Sequence, residues 1–249
     1  MRFEACAHTY DEHAKPQRFF AERVARFIDP RKGETILEVG AGTGALTEWL
    51  VRSIGSGLGE ALATGPALGV VLSATDASPA MVGIGRTAVP QARWGVLDAF
   101  RQPVPPADLQ VSSGLLHWAD DPVGTLSSWK TSLLRGGRMV HAMPCRPCLS
   151  EWRTIVPDSP VRWADEEGWL GMFRSAGLRV CHRQLWTHQA VCGSALQMIQ
   201  GFHRSGVTGG VRIGPARLRQ ALRMYDATYR APGGVKATWV WLAVEAVAI

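Results

Sequence analysis

Glu34-Thr35-Ile36-Leu37-Glu38-Val39-Gly40-Ala41-Gly42-Thr43-Gly44 is the stretch that decides how this chain is read. Thr35, Ile36, Leu37 and Val39 form the short apolar run of a buried parallel strand, and glycines follow at every second position. Ala45, Leu46, Trp49 and Leu50 then recur at helical spacing with no breaker, so the turn leads directly into a helix. Glycine in such a turn lets the backbone take a positive φ and lets a ligand lie against it without meeting a side chain. The unpaired N–H groups at the start of the following helix favour the ligand's negative end.

The glycines alone do not choose the ligand. Gly40, Gly42 and Ala45 also fit the dinucleotide pattern with alanine in its third place, which keeps NAD beside other adenosine cofactors. Glu38 shifts the balance. A carboxylate two residues before the first glycine is poorly placed beside a pyrophosphate, whereas S-adenosylmethionine carries an amino group and a sulfonium.

At 249 residues the chain can bury one substantial core and carry a lobe or lid besides. Hydrophobic residues make up 46%, and no uninterrupted apolar run reaches the roughly 20 residues of a membrane span. The first residues, Met-Arg-Phe-Glu-Ala-Cys-Ala-His, hold no apolar signal core, and five cysteines, an odd number, suit reduced thiols. A soluble cytoplasmic protein is expected. The net charge of +6 and pI near 9.4 fit an acidic partner, either protein or nucleic acid, but no Lys/Arg block marks a nucleic-acid tail.

Around the glycine turn the chain reads as follows. Residues 1–17 are polar, and Phe20, Val24, Phe27 and Ile28 then give an amphipathic helix stopped by Asp29-Pro30. The polar segment is expected either to fray or to fold back over the cofactor through Tyr10 and His13. A glycine-rich loop at 53–69 precedes a second strand at 70–75. That strand ends in Asp76, placed to hold a ribose, with Ser78 and Pro79 opening the next helix. The 32 positions from Gly44 to Asp76 exceed the usual spacing of about 20, and the loop accounts for the excess. A third strand at 92–97 leads to Asp98, where a carboxylate suits an adenine amino group, with Phe100 packing nearby. A fourth at 109–113 delivers His117 and Trp118 to the carboxyl end of the sheet, where substrates bind in open α/β folds.

A helix through Val123, Leu126, Trp129 and Leu133 and a fifth strand at 138–143 come next. Cys145 and Cys148 form the one CxxC, but no further ligands at zinc spacing accompany it, so no metal is expected. Residues 151–164 show no clear period. A helix at 165–176, a strand at 178–186, helices through 191–202 and 218–225, and a last strand at 235–249 complete the reading. The pattern predicts an α/β, doubly wound, mostly parallel seven-stranded sheet of Rossmann-like type. It divides into an N-terminal helical lid at 1–30, a cofactor-binding core at 31–186, a helical cap at 187–234 and a returning strand at 235–249.

Taken in order, Glu38 to Gly44, Asp76-Ala-Ser-Pro-Ala-Met81, Asp98 and Leu134-Arg-Gly-Gly-Arg138 resemble the successive motifs of class I S-adenosylmethionine-dependent methyltransferases. Within that superfamily the chain resembles, over nearly its whole length, the biotin-pathway malonyl-acyl-carrier-protein O-methyltransferase family. The features behind this are Ala7 to His13 with Gln17, Leu116-His117-Trp118-Ala-Asp-Asp121, Ser205 to Gly209, and Val235-Lys-Ala-Thr-Trp239. Ala41 in place of a common Cys, Ser113-Gly114 in place of Asn-Leu, and the insertion at 55–69 depart from its pattern.

The resemblance implies a cofactor site of Glu38, Gly40, Gly42, Gly44, Asp76, Ala77, Met81, Asp98, Ala99, Phe100, Ser113 and His13, with S-adenosyl-L-homocysteine as product. It implies methylation of the free carboxylate of a malonyl group on acyl carrier protein. Tyr10 and Trp118 would wall the transfer site, and Arg146, Arg153 or protonated His117 would orient the carboxylate; spacing does not choose among these three. The acidic carrier would give Arg212, Arg217, Arg219, Arg223 and Arg230 a docking role, against the plainer reading of a solvated helix face. Another small-molecule methyltransferase of the same fold is the nearest alternative. A nucleic-acid methyltransferase lacks the Asn/Asp-Pro-Pro-Tyr/Phe motif here, and a non-catalytic subunit would have little use for the full acidic and glycine set.

Overall fold

A computed structural model describes residues 2–56, 69–157, 163–205 and 213–249. The strands are β1 (Thr35–Val39), β2 (Val71–Asp76), β3 (Arg93–Val96), β4 (Ala107–Ser113), β5 (Leu133–Pro144), β6 (Leu178–Cys192), β7 (Arg230–Ala231) and β8 (Gly234–Ala248). They form one sheet in the order β3-β2-β1-β4-β5-β8-β6, with the two-residue β7 paired onto β8. Strands β1 to β5 run parallel, and β8 lies antiparallel between β5 and β6. This is the expected doubly wound, mostly parallel sheet of seven strands, with one short addition.

Helices cover both faces, as a parallel sheet requires. The period-2 alternation of strand side chains sends Ile36, Leu72, Leu109 and Val111 into one core and Leu37, Val39, Met139 and Met143 into the other. On the first face lie α2 (Lys15–Phe27) and α3 (Ala45–Ser56), which bury Phe20, Val24, Leu46 and Leu50, together with α8 (Ala195–Arg204) and α9 (Pro215–Thr228). On the second lie α5 (Pro122–Lys130) and α7 (Glu166–Ser175), which bury Leu126, Trp129, Trp169 and Phe173. Fully burying side chains of this size contributes roughly 1.5–3 kcal/mol each. Trp129 also ties its core to the functional edge of the sheet, because its indole donates to the Ala99 carbonyl at 2.8 Å and stacks on Phe100.

A buried ion cluster joins distant parts of the chain. Arg138 on β5, 3% exposed, pairs with Glu34 just before β1 and with Glu245 on β8 at 3.2 Å, while Glu245 also meets His182 of β6 at 3.0 Å.

Several local expectations need correction. The helix expected from Val191 begins at Ala195, because β6 continues six residues beyond Trp186 and pairs with β8 as far as Cys192↔Val235. Val191 is 53% exposed, so its apolar character reports no helical core. Leu133 belongs to β5 and not to the preceding helix; its pairing with Ala107 takes it into the sheet. The aperiodic stretch after Cys148 holds a short helix, α6 (Ser150–Ile155). Residues 2–13 form α1 (Arg2–His13), and α4 (Pro79–Ala88) starts as expected, with Ser78 accepting from the Met81 N–H at 3.2 Å. Most of the glycine-rich loop, Gly206 to Gly210 and Arg212 lie outside the described residues.

Candidate active site

The carboxyl ends of β1, β2 and β4 meet at a cavity. The glycine turn forms its floor. Gly40, Gly42 and Gly44 have φ of 68°, 57° and 98°, in the left-handed region that glycine adopts freely. Their uses differ. A Cβ on Gly40 would stand 2.7 Å from Leu115 Cδ1, and one on Gly44 3.2 Å from the Trp94 ring, so those two serve packing. A Cβ on Gly42 meets no protein atom and would stand in the cleft, the mark of a backbone shaped for close approach of a ligand.

Acidic residues hold the turn in place. Asp76 Oδ2 accepts from the Gly42 N–H and Oδ1 from the Ser78 N–H, both at 2.9 Å. Burial raises its pKa, and those two backbone bonds oppose the rise. Each carboxylate oxygen has a second lone pair, so the bonded group can still accept from a ribose hydroxyl. Asp98 accepts from the Phe100 N–H at 3.2 Å and shapes the loop that places Ala99 and Phe100 on the cavity wall. Glu38 lies beneath the turn and does not line the cavity. It is 1% exposed and accepts from Thr47 Oγ1 at 2.7 Å, and burial pushes its pKa up to about 7 against the lowering effect of Thr47.

Helix α1 closes the cavity from above. Glu4 accepts from Ser78 Oγ and from the Ala80 N–H, and Asp11 accepts from Thr43 Oγ1 at 2.6 Å, so the helix is fixed at both ends, to the start of α4 and to the glycine turn. Phe3 meets Trp118 edge-on at 5.7 Å, and Tyr10 lines the same wall, its pKa raised first by burial and then by Asp11 and Asp76.

A second cavity adjoins the first and shares Phe3, Tyr10, Ser113, Gly114 and Trp118 with it. Its remaining described lining is Gln17, His117, Pro144, Trp163, Trp239 and Trp241. None of these carries a formal charge: burial lowers the His117 pKa to about 3, which leaves the imidazole neutral. Among the described residues, four buried polar atoms of this lining have no hydrogen-bond partner: Gln17 Oε1, His117 Nδ1, Trp163 Nε1 and Trp241 Nε1.

The structure therefore brings together Gly40, Gly42, Asp76, Ala77, Met81, Asp98, Ala99, Phe100, Ser113, Tyr10 and Trp118 at the first cavity, with His117 at the second. Five expected residues line neither cavity: Glu38 beneath the turn, Gly44 packed toward Trp94, and His13, Arg146 and Arg153. His13 turns toward Arg204 at 3.5 Å, because α1 carries it past the cleft onto α8. Arg146 is held at the surface by Asp165 at 2.9 Å, both side chains about half exposed, and Arg153 of α6 lines neither cavity. The lining residues not foreseen as site residues include Phe3, Gln17, Trp163, Trp239 and Trp241. Trp239 and Trp241, two apart on a strand, share one face, which is the signal that points to them. Among the described residues no three His, Cys, Asp or Glu sit together as metal ligands.

A family profile describing a methyltransferase domain matches residues 10–192. This chain belongs to the methyltransferase-domain family. The methyltransferase is 24% identical to the malonyl-[acyl-carrier protein] O-methyltransferase of Paenibacillus sp. (strain JDR-2), across 97% of this chain and 95% of that protein. It is 27% identical to the trans-aconitate 2-methyltransferase of Mycobacterium marinum, across 54% of this chain and 44% of that one. Its fold matches that of a Geobacter sulfurreducens methyltransferase solved with S-adenosyl-L-homocysteine, with a TM-score of 0.53 at 13% identity over 94% of this chain and 91% of that one. The methyltransferase uses S-adenosylmethionine, and the open approach at Gly42 and the acids at the ends of the second and third strands fit that cofactor. Among the described residues no helix is long and apolar enough to cross a membrane.

Proposed function

We propose that this methyltransferase methylates the free carboxylate of a malonyl thioester carried on acyl carrier protein. One observation carries the carboxylate: the described lining of the inner cavity holds no strong base. Its only imidazole has a pKa near 3, and it contains no Asp, Glu or Lys. A hydroxyl or amine acceptor needs a base, whereas a carboxylic acid is already ionised at neutral pH. Bound S-adenosylmethionine supplies a methyl group on a positively charged sulfonium.

The chain's own residues position the acceptor and exclude water. Phe3, Tyr10 and Trp118 stand at the boundary the two cavities share, where they wall the route from acceptor to cofactor, and α1 seals it from solvent. His13 and Glu38 act on the cofactor only indirectly, through the lid and the turn. The malonyl and carrier identities rest on the whole-length likeness to the Paenibacillus protein, and the carrier also on Arg219 and Arg223, which are exposed on α9 and suit an acidic protein.

Labelled S-adenosylmethionine offered with malonyl-carrier protein, malonyl-CoA, trans-aconitate or RNA tests this reading. Preferred transfer to malonyl-carrier protein is expected. Transfer to trans-aconitate without transfer to the carrier would favour the second reading, a small-carboxylate methyltransferase, for which the partial likeness to the Mycobacterium protein speaks. Transfer to RNA alone would sink both.

A further inference from the structure

Four residues of the inner cavity's described lining, from four parts of the chain, each carry a buried polar atom without a hydrogen-bond partner: Gln17 of α2, His117 after β4, Trp163 before α7 and Trp241 of β8. Trp163 and Trp241 are 5% and 2% exposed, so neither indole N–H can turn to solvent. An indole N–H donates and never accepts. Leaving such a donor buried without a partner is costly, and here two line one chamber. Phe20 stacks on Trp241 at 4.8 Å with the planes 6° apart, which holds that ring where it is. The Gln17 side chain can present either its oxygen or its NH₂ group by turning its amide.

We propose that Trp163 and Trp241, with the turned amide of Gln17, form a neutral N–H cradle that holds the acceptor's terminal carboxylate. The inference rests on the carboxylate reading above and names the residues that recognise it. Indole donors meet the acceptor requirement of an oxyanion without placing a full positive charge beside a nucleophilic oxygen. Arg146 and Arg153 then have no orienting role. Aromatic walls keep water from competing for the same oxygens.

The test uses the full chain loaded with S-adenosyl-L-homocysteine and titrated calorimetrically with S-malonyl-N-acetylcysteamine or its S-acetyl counterpart. The malonyl probe is expected to bind at least tenfold more tightly. Trp163→Phe and Trp241→Phe, which keep an aromatic ring and remove the N–H, are each expected to weaken the malonyl probe about tenfold or more. They should leave the acetyl probe and S-adenosyl-L-homocysteine unchanged. Gln17→Leu supplies a third variant outside the tryptophan packing and is expected to act in the same direction.

Equal affinity for the two probes, or malonyl binding by both tryptophan variants within twofold of wild type, would overturn the cradle. Arg146→Ala and Arg153→Ala should leave malonyl binding within twofold, and a tenfold loss in either would return the orienting role to a cation and overturn the cradle. Selective malonyl binding without transfer to malonyl-carrier protein would support the cradle and refute the carrier substrate. Undiminished transfer to malonyl-carrier protein by both tryptophan variants would do the reverse.

Discussion

Gly42 is where one atom separates a loop from a binding surface. Its φ of 57° strains most other residues, and the place a Cβ would take is the open cavity. Gly42→Ala is therefore expected to weaken S-adenosyl-L-homocysteine binding by tenfold or more, read by calorimetry, at a stability cost of about 1–2 kcal/mol from the left-handed backbone. Glu38 makes a different prediction. Burial raises its folded pKa from 4.5 to about 7, so the folded state holds its proton more tightly than the unfolded state. Its contribution to stability is full below pH 4.5 and is lost as pH rises through 7, on the order of 3 kcal/mol across that window. Glu38→Gln keeps an acceptor for Thr47 but cannot ionise. Urea unfolding from pH 4.5 to 8 should show the variant gaining on wild type as pH rises, and parallel pH profiles would refute the assignment. At this scale the sequence is most legible where a strand end fixes position: Gly40, Gly42, Asp76 and Asp98 all follow from finding three strands. Gln17, Trp163 and Trp241 were not legible as a group, because residues 17, 163 and 241 meet only once the sheet order is known.

Among the elements, α1 is the one whose role periodicity could not show. Its sequence is polar and lacks a strong apolar stripe, and two carboxylates add to the packing of Phe3, Ala7 and Tyr10 in fixing it. Glu4 reaches the start of α4, and Asp11 reaches the glycine turn. Replacing both with Ala should cost under about 1 kcal/mol of global stability, since these contacts are partly exposed. It should nevertheless speed S-adenosyl-L-homocysteine release severalfold and admit a collisional quencher to Trp118. Unaltered release and quenching would show that α1 does not act as a lid. β6 was misread in the opposite direction: Val191 and its neighbours have helical spacing, but 14 residue pairings with β8 outweigh that local pattern. Local preference yields when a distant strand supplies a ladder.

For the molecule as a whole, Arg138 bonds three segments into one unit. Removing only the cation leaves Glu34 and Glu245 facing each other with little solvent, so Arg138→Met is expected to destabilise by about 3–5 kcal/mol in urea titration while the folded fraction still binds S-adenosyl-L-homocysteine. The net charge of +6 acts at longer range. If α9 docks an acidic carrier, Arg219→Glu with Arg223→Glu should raise KM for malonyl-carrier protein about tenfold and leave that for a malonyl pantetheine thioester unchanged, with the wild-type carrier KM rising with salt.

The place of β8 in the sheet also sets an order of events during synthesis. Its position between β5 and β6 must stay vacant until residues 234–248 leave the ribosome, and until then β5 presents an unpaired hydrogen-bonding edge. The described lining of the first cavity falls within residues 3–118 and is encoded well before that moment, whereas that of the inner cavity includes Trp239 and Trp241. A nascent chain can thus acquire its nucleoside-binding half first. It gains any means of recognising an acceptor only with the strand that closes the sheet, so an incomplete chain cannot select a substrate.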